Sequence, residues 1–294
     1  MKKMVCSLLL CLTAVANPVL AGVSVVDDLG REVYLDKPAQ RIIALAPHIV
    51  ENLYSAGAGN KLVGAVDYSD YPEEAKKLPS VGVISAYSLE TIVAMKPDLV
   101  VVWRSGRGGE VLKKLDALGI TAYANDPRSI GDIARDIRQF GILAGTQAKA
   151  EKVAAQFEEK MAALKIRNAE LPRVRVLYQI WDKPMQTLNG AHLISDVITL
   201  CGGSNIFGDA VALAPKISVE SVLTKNPQVI VASGAGDDAP PWLYHWRLWP
   251  SIEAVKHNRL FSIPPDLIQR NTIRIARGSE LMCGFIASVS RPAP

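Results

Sequence analysis

The sequence predicts an α/β protein of two Rossmann-like lobes, each built on a central, mainly parallel sheet, joined by one long α-helix. Three observations carry this: a helix-and-strand pattern that occurs twice, an unbroken apolar run closing each copy, and an alanine-, lysine- and glutamate-rich stretch between the copies. An apolar fraction of 49% beside 21% charged residues suffices for a buried core and argues against disorder.

Taken in chain order, Met1-Lys2-Lys3, the apolar run Met4 to Ala16, Asn17-Pro18 and Val19-Leu-Ala21 read as a secretory signal peptide over residues 1–21. The run stops short of the roughly 18 apolar residues a spanning helix needs. A lipid anchor would require a small residue just before a cysteine, and Cys11 follows Leu10.

The first lobe is expected over 22–141. Its sheet opens with Arg41-Ile-Ile-Ala-Leu-Ala46, and its copy of the repeat is Ser88-Leu-Glu-Thr-Ile-Val-Ala-Met-Lys-Pro-Asp-Leu-Val-Val-Val102. The serine caps a short helix, Glu90 lies in the first turn where the helix dipole favours a negative charge, and the proline ends the helix. The apolar run Leu99 to Trp103 then reads as a strand buried on both faces. Glu110 to Leu118 follows as a helix closed by Gly119, with Ile120-Thr-Ala-Tyr123 as the next strand.

The connecting helix is expected over 142–170. From Thr146 to Glu170, Val153, Phe157, Met161 and Leu164 share one helical face, and neither glycine nor proline occurs between Gly145 and Pro172. A single stiff rod predicts a small opening angle between the lobes. The second lobe, 171–294, starts with Arg175-Val-Leu-Tyr-Gln-Ile180 and repeats the pattern as Ser218-Val-Glu-Ser-Val-Leu-Thr-Lys-Asn-Pro-Gln-Val-Ile-Val-Ala232. Ligand sites in such sheets lie beyond the carboxyl ends of the strands, so facing lobes predict a shared cleft.

The formal net charge of +4, falling to about +2 without Lys2 and Lys3, gives no reason to expect nucleic acid. Gly234-Ala-Gly-Asp-Asp-Ala239 superficially suits a dinucleotide turn, but Pro240-Pro241 interrupts the helix such a turn requires, so loop glycines are the better reading. Neither Gly-x-x-x-x-Gly-Lys-Ser/Thr nor Gly-x-Ser-x-Gly occurs, which removes an ATPase and weakens a hydrolase. His48, His192, His245 and His257 show no zinc spacing, so no metal site or cofactor of the protein's own is expected, nor an enzyme. An exported enzyme on the same scaffold remains the competing class.

His48 follows Pro47 at the carboxyl end of the first lobe's opening strand, where it either faces a ligand or sits as a solvated loop histidine. Trp181, at the carboxyl end of the second lobe's opening strand, is a cleft candidate by position. Of Trp242, Tyr244, Trp246 and Trp249, one or two are assigned to ligand, Trp242 first, while Trp249-Pro250 with Ile252 is expected in the core. Glu90 and Glu220 occupy the same place in the two copies, explained either by the helix dipole or as matched docking charges for a symmetric partner. Beyond the signal segment two cysteines remain, Cys201 and Cys283; one disulfide is the simplest outcome, two separate buried thiols the other.

Val26-Asp-Asp-Leu-Gly-Arg31 and Pro38-Ala-Gln-Arg-Ile42 resemble the class III periplasmic binding proteins that serve ABC importers of cobalamin, iron siderophores and haem. Within that class the cobalamin-binding members are most similar, through Tyr68-Ser-Asp-Tyr-Pro72, Leu89-Glu90, Lys96-Pro-Asp-Leu-Val100 with Trp103-Arg104, Cys201-Gly-Gly-Ser-Asn-Ile-Phe207 and Asp266-Leu-Ile-Gln-Arg270. The resemblance implies a monomeric periplasmic carrier with a Cys201–Cys283 disulfide. It implies docking of Glu90 and Glu220 on an inner-membrane permease dimer with its ATPase subunits. It also implies ligand contacts from Tyr68, Asp266 and Arg270. By the resemblance, the class's aromatic ligand contacts fall near Ile84, near Met185 and on Ala214, so three rings are missing. The expected cargo is a metal chelate such as cobalamin or another corrinoid, with ferric siderophores and haem as alternatives; Tyr68, Tyr87 and His48 are the groups available as axial ligands to haem.

Overall fold

The computed structural model describes residues 22–234, 236 and 238–289; the expected signal peptide lies outside the described residues. The described chain begins with an antiparallel hairpin, β1 (Val23–Val26) and β2 (Glu32–Leu35), whose alternation buries Val25, Val33 and Leu35. Its turn is held by the Asp27 carboxylate, which accepts from the backbone N–H groups of Leu29 and Arg31, each at 2.9 Å.

The first main sheet contains β3 (Ile42–Ala44), followed by α1 (Pro47–Ser55) and β4 (Leu62–Ala65). A small hairpin, β5 (Gly82–Val83) and β6 (Ala86–Tyr87), leads into α2 (Leu89–Ala94) and β7 (Leu99–Trp103). Then come α3 (Gly109–Ala117), β8 (Ala122–Asn125) and α4 (Ile130–Ala144). The four strands pair in parallel in the order β4-β3-β7-β8, and β3 is wholly buried, as a central strand of an α/β layer must be.

The connecting helix α5 runs from Gln147 to Asn168. Residues 142–144, expected at its start, instead complete α4, because Gly145 at φ 69° takes the left-handed conformation that closes a helix. On α5, Phe157, Met161 and Leu164 are buried, with Val153 only partly so. Arg138 of α4 clamps it by bonding Glu151 and Glu158, at 2.7 and 2.6 Å.

The second sheet is built from β9 (Val174–Trp181) and β10 (Gln186–Thr187), then, after α6 (Leu193–Leu200), β11 (Gly203–Asn205). After α7 (Val219–Lys225) comes β12 (Val229–Ala232); a 3₁₀ helix over Pro241–Leu248 and α8 (Glu253–Lys256) precede β13 (Leu260–Ser262). Two helices finish the described chain, α9 (Pro265–Ile268) and α10 (Ile275–Ala287). The order is β10-β9-β12-β13, with β11 also beside β9, and all pairs but β10–β9 are parallel.

Both repeat helices start on a serine that accepts an N–H three residues on, Ser88 from Thr91 and Ser218 from Ser221. The residue before each proline, Lys96 and Asn226, ends its helix at positive φ, 46° and 42°. One apolar cluster runs through both lobes along α1, α4, α5, α6 and α10, so the lobes share a base, while a separate cluster fills the far side of each sheet. Cys201 and Cys283 form a disulfide that pins the end of α6 to α10.

Candidate functional site

Strand carboxyl ends from both sheets converge on a cavity of about 390 Å³. The end of β3 delivers Pro47 and His48, β7 delivers Trp103, and the hairpin before α2 contributes Ile84. From the second lobe come Ile180 on β9, Leu188 after β10, His192 and Ile194 at the start of α6, and the α9 segment with Asp266, Gln269, Arg270 and Asn271. Five expected residues therefore line one cavity: Pro47, His48, Ile84, Asp266 and Arg270.

The polar side of the cavity is an ion-pair network that crosses between lobes. Arg270 Nη1 donates to Glu51 on α1 and to Asp70, both at 2.8 Å, while its Nε reaches Asp266 at 3.0 Å. Arg274 adds Asp266 at 3.2 Å and Glu51 at 3.4 Å, and its guanidinium lies 4.4 Å from the centre of the Tyr71 ring. Burial pushes the Glu51 carboxyl up, against the pull of both arginines. At Asp70 burial is again the largest single effect and pushes up, but the hydrogen bond and charge of Arg270, a backbone hydrogen bond and the Arg274 charge together outweigh it, and the carboxyl ends below its ordinary value. Asn271 extends the seam: its carbonyl accepts from Asn52 Nδ2 at 2.9 Å and its side chain donates to the Pro127 carbonyl at 3.0 Å.

Two histidines face this cavity from opposite lobes. His48 is 7% exposed, packs edge-on against Trp103 with centroids 5.4 Å apart, and places Nε2 3.2 Å from Asn125 Oδ1. Burial depresses its pKa to about 4, although the Asn125 hydrogen bond and Asp126 oppose the shift. His192 caps α6, its Nδ1 accepting the Ile194 N–H at 3.1 Å, and burial with help from Arg128 lowers its pKa to about 4 as well. Both are neutral imidazoles at pH 7.

The other expected contacts lie outside the cavity lining. Tyr68 is 79% exposed on a neighbouring groove with Asp67, Asp70 and Lys76, its backbone at φ 65°, a conformation a tyrosine rarely takes. Trp181 is exposed at the end of β9, its indole donating to the Lys183 carbonyl at 3.1 Å. Met185 and Trp242 pack, partly buried, against the second lobe's outer cluster, where Trp246 is buried and donates to Gln179 Oε1 at 2.8 Å. Ala214 is exposed on a segment that runs antiparallel to β10 and its continuation, through Asn189 N–H to the Leu213 carbonyl and Thr187 N–H to the Pro215 carbonyl. Ala214 thus sits beside Leu188 of the cavity wall. Glu90 and Glu220 are both exposed in the first turns of α2 and α7. Trp103 and His192 carried no cleft assignment in the sequence; the strand-end rule that picked Trp181 would have found Trp103. Among the described residues, no group of three or more His, Cys, Asp or Glu side chains is placed to hold a metal ion.

Comparison with known proteins agrees with this architecture. The vitamin B12-binding protein of Vibrio parahaemolyticus is 35% identical over 259 residues, 87% of this chain and 92% of its own length. That of Yersinia pestis is 36% identical over 254 residues, 86% and 89% of the two chains. The crystal structure of the periplasmic vitamin B12 binding protein BtuF of Vibrio cholerae superposes with a TM-score of 0.79 at 34% identity, over 87% of this chain and 99% of that one. A periplasmic heme-binding protein, RhuT from Roseiflexus, shares the fold with a TM-score of 0.73 at 24% identity, covering 85% and 99%. The family model described as periplasmic binding protein matches residues 42–267, and the chain belongs to that family.

Proposed function

We propose that this chain is the exported, periplasmic carrier of an ABC importer, that it captures cobalamin or a related corrinoid between its lobes, and that it hands the ligand to an inner-membrane permease. The lobes in this reading are residues 22–141 and 171–294, joined by the helix between them. The observation that carries it is the cavity walled by strand ends of both sheets, with apolar Ile84, Trp103, Ile180 and Leu188 for a flat ligand's face and Asp266 with Arg270 for its polar rim. The relatives named as vitamin B12-binding proteins support the same cargo. Tyr68 and Trp181, both exposed, take up the stacking that Ile84, Met185 and Ala214 do not provide. The left-handed backbone of Tyr68, rare for a tyrosine, supports a role in binding.

Isothermal calorimetry with cyanocobalamin tests the cargo. Saturable heat at micromolar protein is expected, and none there would sink the reading. Glu90 and Glu220 serve as docking charges, one per lobe. Reversing both, Glu90→Arg with Glu220→Arg, should leave cyanocobalamin binding intact and abolish uptake by cells carrying the permease. Undiminished uptake would remove the docking role.

A further inference from the structure

The cavity holds two neutral histidines, and the hydrogen bonds around each fix which ring nitrogen carries the proton. At His192 the Ile194 N–H donates to Nδ1 at 3.1 Å, so Nδ1 spends its lone pair on the helix cap and the proton sits on Nε2. His48 is the reverse case. Asn125 Nδ2 donates to Asp136 Oδ2 at 2.6 Å, and Arg135 holds the other carboxylate oxygen at 3.0 Å. Burial pushes the Asp136 carboxyl up to about 7, against the pull of Arg135 and of the Asn125 bond; as the carboxylate it orients the amide, which turns Oδ1 toward the imidazole and makes Nε2 of His48 the donor across their 3.2 Å contact. Nδ1 is left with a lone pair, and among the described residues it has no hydrogen-bond partner. The ring is part of the cavity wall.

An imidazole whose far N–H is bonded to a carbonyl backed by a carboxylate is the arrangement that orients a histidine as a metal ligand and raises its basicity. Every member of this relay is buried: His48 at 7% exposure, Asn125 and Asp136 at 0%. Nothing in the packing of α1 needs a histidine there, since its apolar anchors are Ile49, Val50 and Leu53.

Resting on the corrinoid reading above, we infer that His48 Nδ1 is an axial ligand to the metal of the bound chelate, so that the cleft selects a metal chelate with an exchangeable axial position over one whose axial sites are blocked. With a cobalt(III) corrinoid the step is a ligand exchange: the axial water leaves with its electron pair, the Nδ1 lone pair forms the cobalt–nitrogen bond, and the Nε2 proton stays with the ring. No oxidant or reductant takes part.

The test compares aquacobalamin, whose water exchanges, with cyanocobalamin, whose cyanide does not. The wild-type protein is expected to shift the near-ultraviolet band of aquacobalamin as free imidazole does, and to bind it at least about tenfold more tightly than cyanocobalamin, one decade of affinity. In His48→Gln the shift should vanish and the ratio of the two affinities fall to about one. In wild-type protein carrying ¹⁵N-histidine, the diamagnetic cobalt(III) complex should move one Nδ1 resonance, a readout that needs no variant. Equal binding of both corrinoids without a spectral change overturns the axial role and leaves the corrinoid reading standing; failure of both to bind overturns the two together. A shift that survives in His48→Gln also overturns it.

Discussion

The two lobes share their outer machinery and differ at the cleft. In each, an arginine at the start of the opening strand caps the repeat helix: Arg41 Nη2 and Nε reach the Met95 carbonyl at 2.6 and 3.0 Å, and Arg175 Nε reaches the Asn226 carbonyl at 2.9 Å. In each, the residue after the repeat proline ties back to that arginine's backbone, Asp98 to Arg41 N–H at 2.9 Å and Gln228 to Arg175 N–H at 3.1 Å. The cleft walls show no such agreement. The first lobe's histidine is bonded through Nε2 to a side-chain amide, the second's through Nδ1 to a backbone N–H; the first lobe presents Glu51 and Asp70, the second the Arg270 that pairs with both. Duplicated scaffolding sets where strand ends fall, and side chains on those ends are then free to diverge.

The largest expected effect breaks the comparison where the second lobe has a device the first lacks. The Cys201–Cys283 bond closes a separation of 82 residues. In the chain-entropy model its removal costs about 4 to 5 kcal/mol as an upper figure. A Cys201→Ala, Cys283→Ala protein should therefore melt well below the parent, and the first transition by hydrogen exchange should map to α6 and α10 rather than α4. An unchanged melting curve would show that the shared apolar base alone holds the second lobe.

Next comes the seam itself. Glu51 is 3% exposed and answers both Arg270 and Arg274 from across the cleft. Removing one partner of a buried pair strands the others, so Glu51→Ala should cost about 2 to 3 kcal/mol in urea unfolding, reduced from the full buried-pair value because Arg270 keeps Asp70 and Asp266. A loss under about 0.5 kcal/mol would mean the lobes are joined by α5 and their apolar base alone.

Much of the scaffold was legible because local rules govern it. Leu99–Trp103 and Val229–Ala232 are strands over the very residues whose apolar run marked them, and Ser88 and Ser218 cap as their positions required. The connecting helix began later than expected because a left-handed Gly145 splits one polar, helix-favouring stretch into two helices. Among the residues that line the cavity, strand-end position had singled out His48, and the resemblance Arg270 and Asp266. The Glu51 seam was invisible because it joins residues 219 apart with no local signature. His192 was passed over because histidine is not among the usual capping residues and only the fold brings it opposite His48.

The histidine contrast can be sharpened by acid. His192, held near pKa 4 in the folded chain against 6.5 unfolded, binds fewer protons folded than unfolded between those values. Its contribution is therefore complete above pH 6.5 and is lost as pH falls toward 4. By pH 5 the loss attributable to His192 should be about 1 to 2 kcal/mol, discounted for its partial exposure. His192→Asn keeps an N-cap acceptor without a titrating ring, so it should flatten part of the acid limb of a stability profile while matching the parent at pH 8. His48, buried and lowered in the same direction, keeps the remainder of the slope in that variant.

The smallest effect separates the two copies of the repeat at a single backbone position. Lys96 and Asn226 both hold positive φ before their prolines, but asparagine tolerates the left-handed region and lysine does not. Asn226 has a second task, since its Oδ1 accepts the Glu253 N–H at 2.9 Å at the start of α8, whereas the Lys96 side chain is exposed. Exchange should therefore be unequal. Lys96→Asn should stabilise by about 0.5 kcal/mol through relief of backbone strain alone. Asn226→Lys should cost about 1 to 2 kcal/mol, because it adds the strain and also leaves an N–H of α8 without its acceptor. Equal and opposite shifts in chemical denaturation would mean that backbone conformation accounts for the whole difference and that the Asn226 side-chain bond contributes nothing.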